Sequence, residues 1–122
     1  MYSKDKVRNF FKLLESNKVQ EAFDRFVSLE FKHHNQHTQD GRLALLEGMT
    51  DAHRQFPEMT MDIKQIFEEG SFVITHSLVK MNSSHAGFVC VHIFRFANEK
   101  IVEFWDIATP RVENSINKDG AF

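Results

Sequence analysis

The sequence predicts an α+β fold in which about three N-terminal helices pack against a mainly antiparallel sheet. Apolar residues recur with helical spacing as far as Pro57, whereas beyond it apolar and polar residues alternate with the period of a strand. Short polar turns interrupt this second pattern, so that its strands follow one another as a meander. Helices followed by an antiparallel sheet are typical of the α+β layer arrangement.

Three helices are indicated in the first half of the chain. The apolar stripe of the first consists of Val7, Phe10, Phe11 and Leu14. A second, shorter stripe consists of Val19, Ala22, Phe23, Phe26 and Val27. The third helix presents one face made of Leu43, Leu46, Met49 and His53. Each stripe follows the spacing of one face of a helix, which is expected to pack against the sheet.

The length of 122 residues suits one domain with one core. We expect a single domain over residues 1–122. It divides into a helical half at 1–57, an antiparallel sheet at 58–108 and a polar C-terminal tail at 109–122.

Composition and charge exclude several classes of protein. The net charge is −2 and no basic stripe is present, which argues against nucleic acid as a partner. No apolar run approaches the roughly 20 residues of a membrane helix, so no membrane association is expected. The single cysteine, Cys90, allows no intrachain disulfide and fits a reducing cytoplasm, as does the lack of a recognisable signal peptide.

Strand alternation predicts which side chains face the helices. A three-residue loop at Ser83–His85 would place His76 directly opposite His92. In the next hairpin, a two-residue loop at Asn98-Glu99 would place His92 opposite Trp105 and Glu103 opposite Phe94. The predicted inward cluster is therefore His76, His92, Glu103 and Trp105. A single β-bulge would change this result, because it reverses the alternation. Arg95 is expected on the outer face, and Asp106 is expected to bond backbone near the C-terminal turn.

Several segments together resemble a known family. They are FKHHNQHTQDG, the strand ending in ITHSLV, and VHIFRFANEKIVEFWDI. The late segment is similar to the Val–Asp–Ile–Phe–Arg and Lys–Ile–Val–Glu–His–Trp–Asp motifs of the SnoaL-like branch of the nuclear transport factor 2-like superfamily. The resemblance implies a curved, cone-shaped sheet wrapped around the helices, with an apolar pocket at its open end. It also implies that the protein is a dimer, since such domains often are.

The resemblance implies chemistry less directly, because the family includes cyclases, isomerases, dehydratases and domains without a catalytic role. His92 stands at the acidic position of the family motif. Asn35, beside His34, stands where ketosteroid isomerases carry a base carboxylate, and asparagine cannot take up a proton. The isomerase mechanism therefore cannot be transferred directly.

The predicted ligand is a small apolar molecule that bears a carbonyl group. If the protein is an enzyme, proton transfer next to that carbonyl would give isomerisation, cyclisation or dehydration. His34 or His76 would act as base and His92 would stabilise the oxygen, since histidine titrates near neutral pH. The residues predicted to contact the ligand are Asn35, Glu103, Trp105 and Phe94.

Neither a metal nor another cofactor is predicted. His33, His34 and His37 lie in an extended or loop segment, and no cysteine or carboxylate completes a convincing ligand set there. Two non-catalytic alternatives remain open, a small-ligand-binding domain and a dimerisation module with the same fold. We expect a homodimer through the outer face of the sheet, which should carry Val73, Val79, Val89, Val91 and Ile93.

Overall fold

The computed structural model describes residues 1–122 as three helices and one five-stranded sheet. The helices are α1 (Ser3–Glu15), α2 (Val19–Phe26) and α3 (Arg42–Gln55). The strands are β1 (Val27–His34), β2 (Thr60–Glu69), β3 (Phe72–Lys80), β4 (Phe88–Ala97) and β5 (Lys100–Pro110). Their order is β1-β5-β4-β3-β2, with β1 parallel to β5 and every other pair antiparallel. The predicted α+β class is confirmed.

The helices and the inner face of the sheet enclose one main apolar core. The predicted stripes of α1 and α2 are buried in it, together with Val73, Phe94, Phe96, Ile101 and Phe104 from the sheet. On α3 the prediction is partly wrong, because Leu43 is 65% exposed and Leu45 is buried instead. This helix packs on α2 and β1, and that contact buries a different set of side chains from the predicted one. No helix in the fold combines the length and apolar character that crossing a membrane requires.

The predicted register of the β3–β4 hairpin is wrong. The connection runs over residues 81–87, rather than through a three-residue loop, and it places Thr75 opposite His92 and His76 opposite Val91. The odd-numbered residues of β3 therefore face inward. His76 points to the outer face and does not meet His92.

The β4–β5 hairpin begins with the predicted two-residue turn but then changes register. Asn98 and Glu99 both have positive φ, at 50° and 65°, as a tight turn between twisted strands requires. Phe96 pairs with Ile101, but Arg95 pairs with Glu103, which leaves Val102 without a partner. This bulge reverses the alternation along the rest of β5.

Because of the bulge, the predicted inward cluster is wrong. His92 lies opposite Asp106, not Trp105, and Phe94 lies opposite Phe104, not Glu103. Glu103 and Trp105 consequently face outward with Arg95, whose predicted position is confirmed.

The composition of the outer face also differs from the prediction. Val73 and Val79 are buried on the inner face, because the longer β3–β4 connection reverses the parity of β3. Their places on the outer face are taken by Phe72, Ile74, His76 and Leu78, beside Val89, Val91 and Ile93 of β4.

The glycine immediately before β4 tests this packing. Gly87 has a φ of +100°, and an added Cβ would lie 2.5 Å from Cδ1 of Leu78. Gly41 has nearly the same φ, +99°, but open space around it. Both alanine variants suffer the same backbone strain, so Gly87→Ala should lower the free energy of unfolding by about 1–3 kcal/mol more than Gly41→Ala. Urea denaturation of the two variants measures the difference, and equal losses would contradict the described β3–β4 packing.

Candidate functional site

Hydrogen bonds link three polar side chains at the inner face of the sheet. His92 Nε2 lies 3.0 Å from Oδ1 of Asp106, and Asn35 Nδ2 donates to Oδ2 of Asp106 over 2.8 Å. Both oxygens of the carboxylate thus have a protein partner. Asp106 was predicted to bond backbone; that prediction is wrong, because the bulge in β5 turns its side chain inward toward His92.

The fold brings these residues together from distant parts of the chain. Asn35 directly follows β1, and β1 lies parallel to β5 with His34 beside Trp105. The end of β1 therefore delivers Asn35 next to Asp106. Its side-chain oxygen also accepts a bond of 2.8 Å from the backbone N–H of His37, which fixes the amide orientation.

His92 is almost wholly enclosed by aromatic rings. Phe104 stacks on it at 5.3 Å between ring centroids, and Phe11 meets it edge-on at 5.7 Å. A carboxylate only accepts hydrogen bonds, so His92 Nε2 carries the hydrogen in the contact with Asp106. The other ring nitrogen, Nδ1, is buried without a hydrogen-bond partner.

Opposing effects act on the Asp106 carboxyl. Burial raises its pKa, but the hydrogen bond and charge of His92, the bond from Asn35 and the nearby His33 outweigh burial. The net effect lowers the pKa of Asp106 below its ordinary value of 3.8. The group is therefore ionised at neutral pH although its side chain is only 21% exposed.

An open, mainly apolar cleft of about 230 Å³ adjoins the pair. Its walls come from α1, α3 and strands β2 to β5, and four methionines contribute to them: Met49, Met59, Met61 and Met81. The polar lining residues are His53, Cys90, His92 and Asp106. Burial, reinforced by the charge of Asp106, raises the pKa of the Cys90 thiol to about 12, so Cys90 is a neutral wall residue rather than a nucleophile.

A second, polar groove of about 190 Å³ reaches Asp106 from the loop that follows β1. It is lined by Asn35, Gln36, His37, Asp106, Ile107 and Ala108. His33 closes the base of this loop, because its Nε2 contacts the carbonyl oxygen of Gln39 at 2.9 Å. Asp106 and Ala108 border both the apolar cleft and the polar groove, and Asp106 is the titratable residue of the two.

Three of the predicted site residues form a separate cluster on the outer face. The His34 ring stacks on Trp105 at 4.9 Å, and His34 Nε2 lies 2.7 Å from Oε2 of Glu103. Arg95 Nε donates to the other oxygen of Glu103 over 3.0 Å. The bond with His34, aided by Arg95 and only partly offset by desolvation, lowers the pKa of Glu103. These groups are separated from the cleft by the thickness of the sheet.

The other predicted residues are divided between the two faces. His76 lies on the outer face, where Nδ1 meets Nε2 of Gln65 at 3.1 Å and the ring lies 4.9 Å from that of Phe122. Phe94 faces inward as predicted but is sealed in the core. Of the predicted set, the structure thus places only His92 and Asn35 around Asp106, while His34, Glu103 and Trp105 meet on the outer face. No group of three or more histidine, cysteine or carboxylate side chains is arranged to hold a metal ion.

Two of the lining residues that were not assigned to the site, Asp106 and His53, carried a recognisable signal in the sequence. A signal for Asp106 was present, because it aligns with the final Asp of the Lys–Ile–Val–Glu–His–Trp–Asp motif. A signal for His53 was also present, since it occupies an otherwise apolar face of α3.

Fold and site together define an α+β domain with a mainly apolar cleft between its helices and its sheet. Residues 7–104 match the family model described as a SnoaL-like domain. The chain therefore belongs to the SnoaL-like domain family. No curated protein matches it in sequence.

Solved structures with the same fold include a SnoaL-like polyketide cyclase from Agrobacterium tumefaciens, with a TM-score of 0.75 and 12% identity over 89% of this chain and 92% of that one. A cystatin-fold protein from Novosphingobium aromaticivorans has a TM-score of 0.74 and 15% identity, covering 88% and 98% of the two chains. An NTF2-like protein from Cytophaga hutchinsonii has a TM-score of 0.74 and 15% identity, covering 90% and 92%. At such identities the likeness shows the fold alone.

The lowered pKa of Asp106 predicts how stability responds to acid. The folded chain binds this proton less tightly than the unfolded chain, so the stabilisation is complete above the ordinary pKa of 3.8 and disappears as the pH falls through the folded value. The stability difference between wild type and Asp106→Asn should therefore stay constant near neutral pH and shrink below about pH 5, as the pH falls toward the folded pKa.

Chemical denaturation at several pH values measures that difference. Glu103 also has a lowered pKa, so both proteins are compared in a Glu103→Gln background, which removes its contribution. A difference that stays constant or grows toward acid would contradict the described environment of Asp106.

Proposed function

We propose that the cleft binds a small, mainly apolar molecule that bears a carbonyl group, and that Asp106 and His92 transfer a proton next to that carbonyl. The observation that carries the proposal is the partly buried contact of 3.0 Å between an ionised carboxylate and an imidazole at the wall of an apolar cleft. Perturbed titratable pairs in such surroundings are typical of acid–base sites.

In this proposal Asp106 is the base, because its carboxylate borders open space whereas His92 Nδ1 is enclosed. The bond between the α-carbon of the ligand and its hydrogen breaks, and the proton passes to a carboxylate oxygen. The electron pair moves to the carbonyl oxygen and gives an enolate. Where a carbon–carbon double bond adjoins the α-carbon, return of the proton at the far end of the conjugated system moves the double bond and gives isomerisation. Attack of the enolate carbon on a second carbonyl gives cyclisation, and the resulting alkoxide takes the proton back from Asp106.

The surroundings of Asp106 suit this role. In the free protein His92 and Asn35 keep the carboxylate ionised and oriented. An apolar ligand would displace water from the cleft, and the resulting desolvation raises the basicity of the carboxylate. The Nε2–H of His92 remains bonded to Asp106 and holds the carboxylate in position for the proton transfer. Asn35 serves to orient Asp106 rather than the ligand.

Hydrogen exchange at the α-carbon of α-tetralone, an apolar bicyclic ketone, tests the proposal. Wild-type protein in heavy water should accelerate deuterium incorporation, as followed by proton NMR. Asp106→Asn should lower the catalysed rate by roughly 10²–10⁴-fold, the usual contribution of a positioned base. The chain offers a matched comparison, because Glu103 forms a second carboxylate–histidine pair on the opposite face.

Glu103→Gln separates the two possible arrangements of the site. Our proposal expects this variant to exchange at the wild-type rate, whereas a site built on His34 and Glu103 would lose activity. Binding of the ketone without accelerated exchange would instead favour the non-catalytic ligand-binding domain. Unchanged exchange in Asp106→Asn would contradict Asp106 as the base.

A homodimer in the cytoplasm completes the proposal. The outer face exposes large apolar side chains, with Phe67 at 58%, Ile107 at 56% and Ile74 at 39%. Arg95 and Glu103 place both charge signs on this face, which suits the self-complementary contact of a two-fold dimer. The cytoplasmic location is supported by the single free cysteine, Cys90.

Substitution at the centre of the outer face tests the dimer. Light scattering of the wild type should give about twice the chain mass of 14.3 kDa at micromolar concentration. Val91→Glu should give the monomer mass, because a charge placed in an apolar interface loses its hydration. Val112→Glu changes an exposed apolar residue in the tail and should leave the dimer intact. A wild-type mass near that of one chain would refute this assembly.

A further inference from the structure

One titratable side chain at the cleft has no part in the proton transfer described above. His53 lies in the last turn of α3 and is only 4% exposed, yet its ring makes no hydrogen bond with the protein. His33 and His92, the other buried histidines, each bond through Nε2. His53 therefore leaves its polar atoms without partners inside an apolar environment.

The position of His53 indicates where a partner would come from. It lines the same cleft as Asp106, but it belongs to the helical wall, together with Met49 and Ala52, rather than to the sheet. Unlike Nδ1 of His92, the ring nitrogens of His53 are not sealed from open space. The cleft is the open space that this residue lines.

Burial lowers the pKa of His53, so the ring is neutral at physiological pH. A neutral imidazole offers one donor and one acceptor. The titratable groups across the cleft are Cys90, His92 and Asp106, and the first of these is a neutral thiol. A ligand group that suits His53 is therefore an uncharged oxygen function, which can accept from or donate to the ring.

We propose that His53 is a specificity-determining residue that forms a hydrogen bond with a second oxygen function of the ligand. The inference rests on the proposed function. It narrows the ligand class from simple apolar ketones to ketones that carry an additional hydroxyl or carbonyl group, placed to reach the helical wall while the reactive carbonyl lies near Asp106. At about 230 Å³, the cleft is below the usual 300–1,000 Å³ of ligand pockets, which limits such a ligand to one or two rings.

The lack of a protein partner distinguishes this role from that of a core histidine. His33 and His92 each bond a protein group, whereas His53 bonds none and shares its wall of the cleft with Met49 and Ala52. A ligand oxygen in the cleft would supply the hydrogen-bond partner that the fold does not. The structure thus ties the unsatisfied ring to recognition at the cleft.

The test compares α-tetralone with three phenolic α-tetralones that carry the hydroxyl at different ring carbons. Binding is measured by calorimetry with the full-length wild type. At least one phenolic ketone should bind roughly 3–10-fold more tightly than α-tetralone, which is the range expected from one net hydrogen bond. In His53→Leu this preference should disappear, while the affinity for α-tetralone stays the same or rises.

Two further variants serve as controls. His53→Gln retains a donor and an acceptor and should recover part of the preference. Arg54→Leu removes the adjacent, exposed polar side chain of α3 and should keep the whole preference. Circular dichroism verifies that each variant is folded. Nitrogen NMR of labelled histidine should show the ring signals of His53 shifting with the phenolic ketone and not with α-tetralone.

The possible results separate the two proposals. If no ketone binds the wild type, the proposed function and this inference both fail. If α-tetralone binds and undergoes exchange but no phenolic ketone binds better, only the role of His53 fails. A phenolic preference that persists in His53→Leu would also overturn that role.

Discussion

The pairing of β4 with β5 is the constraint on which the rest of the site depends. Alternation along a strand fixes faces only relative to its neighbours, and one extra residue reverses every later position. The unpaired Val102 is that residue. It allows the tight turn at Asn98 and Glu99, while it still directs Phe104 and Asp106 inward. Without the bulge, Trp105 and Glu103 would enter the core and Asp106 would lie in solvent.

The Asp106–His92 contact that follows from this register is costly to break. Both groups are largely removed from water, and the loss of one partner leaves the other uncompensated in an apolar region. Asn35 donates a further hydrogen bond to the carboxylate of Asp106, which therefore links three distant segments of the chain. Phe11 and Phe104 pack on the His92 ring and exclude water from it. Such pre-orientation suits a group that reacts without first rearranging.

The sequence was informative where the deciding contacts are local. The stripes of α1 and α2, the change of period after Pro57 and the inward positions of His92 and Phe94 depend on neighbours within one element, and all are present in the structure. The predicted cross-strand pairs were wrong because the register depends on the length of the 81–87 connection and on the bulge. The residue pattern predicts neither of these. The partnership of Asn35 with Asp106 spans 71 residues and needs the parallel β1–β5 pair, which alternation alone cannot predict.

The parallel contact between β1 and β5 also affects how the chain reaches its fold. The first strand pairs with the last, and closing a loop of about 70 residues costs roughly 4 kcal/mol of chain entropy before any contact compensates for it. Such long-range pairing slows folding. During synthesis, β1 remains without its partner until Pro110 has left the ribosome. An unpaired strand exposes backbone groups that can join another chain, so the nascent protein is most prone to aggregation in the interval before its final strand is released.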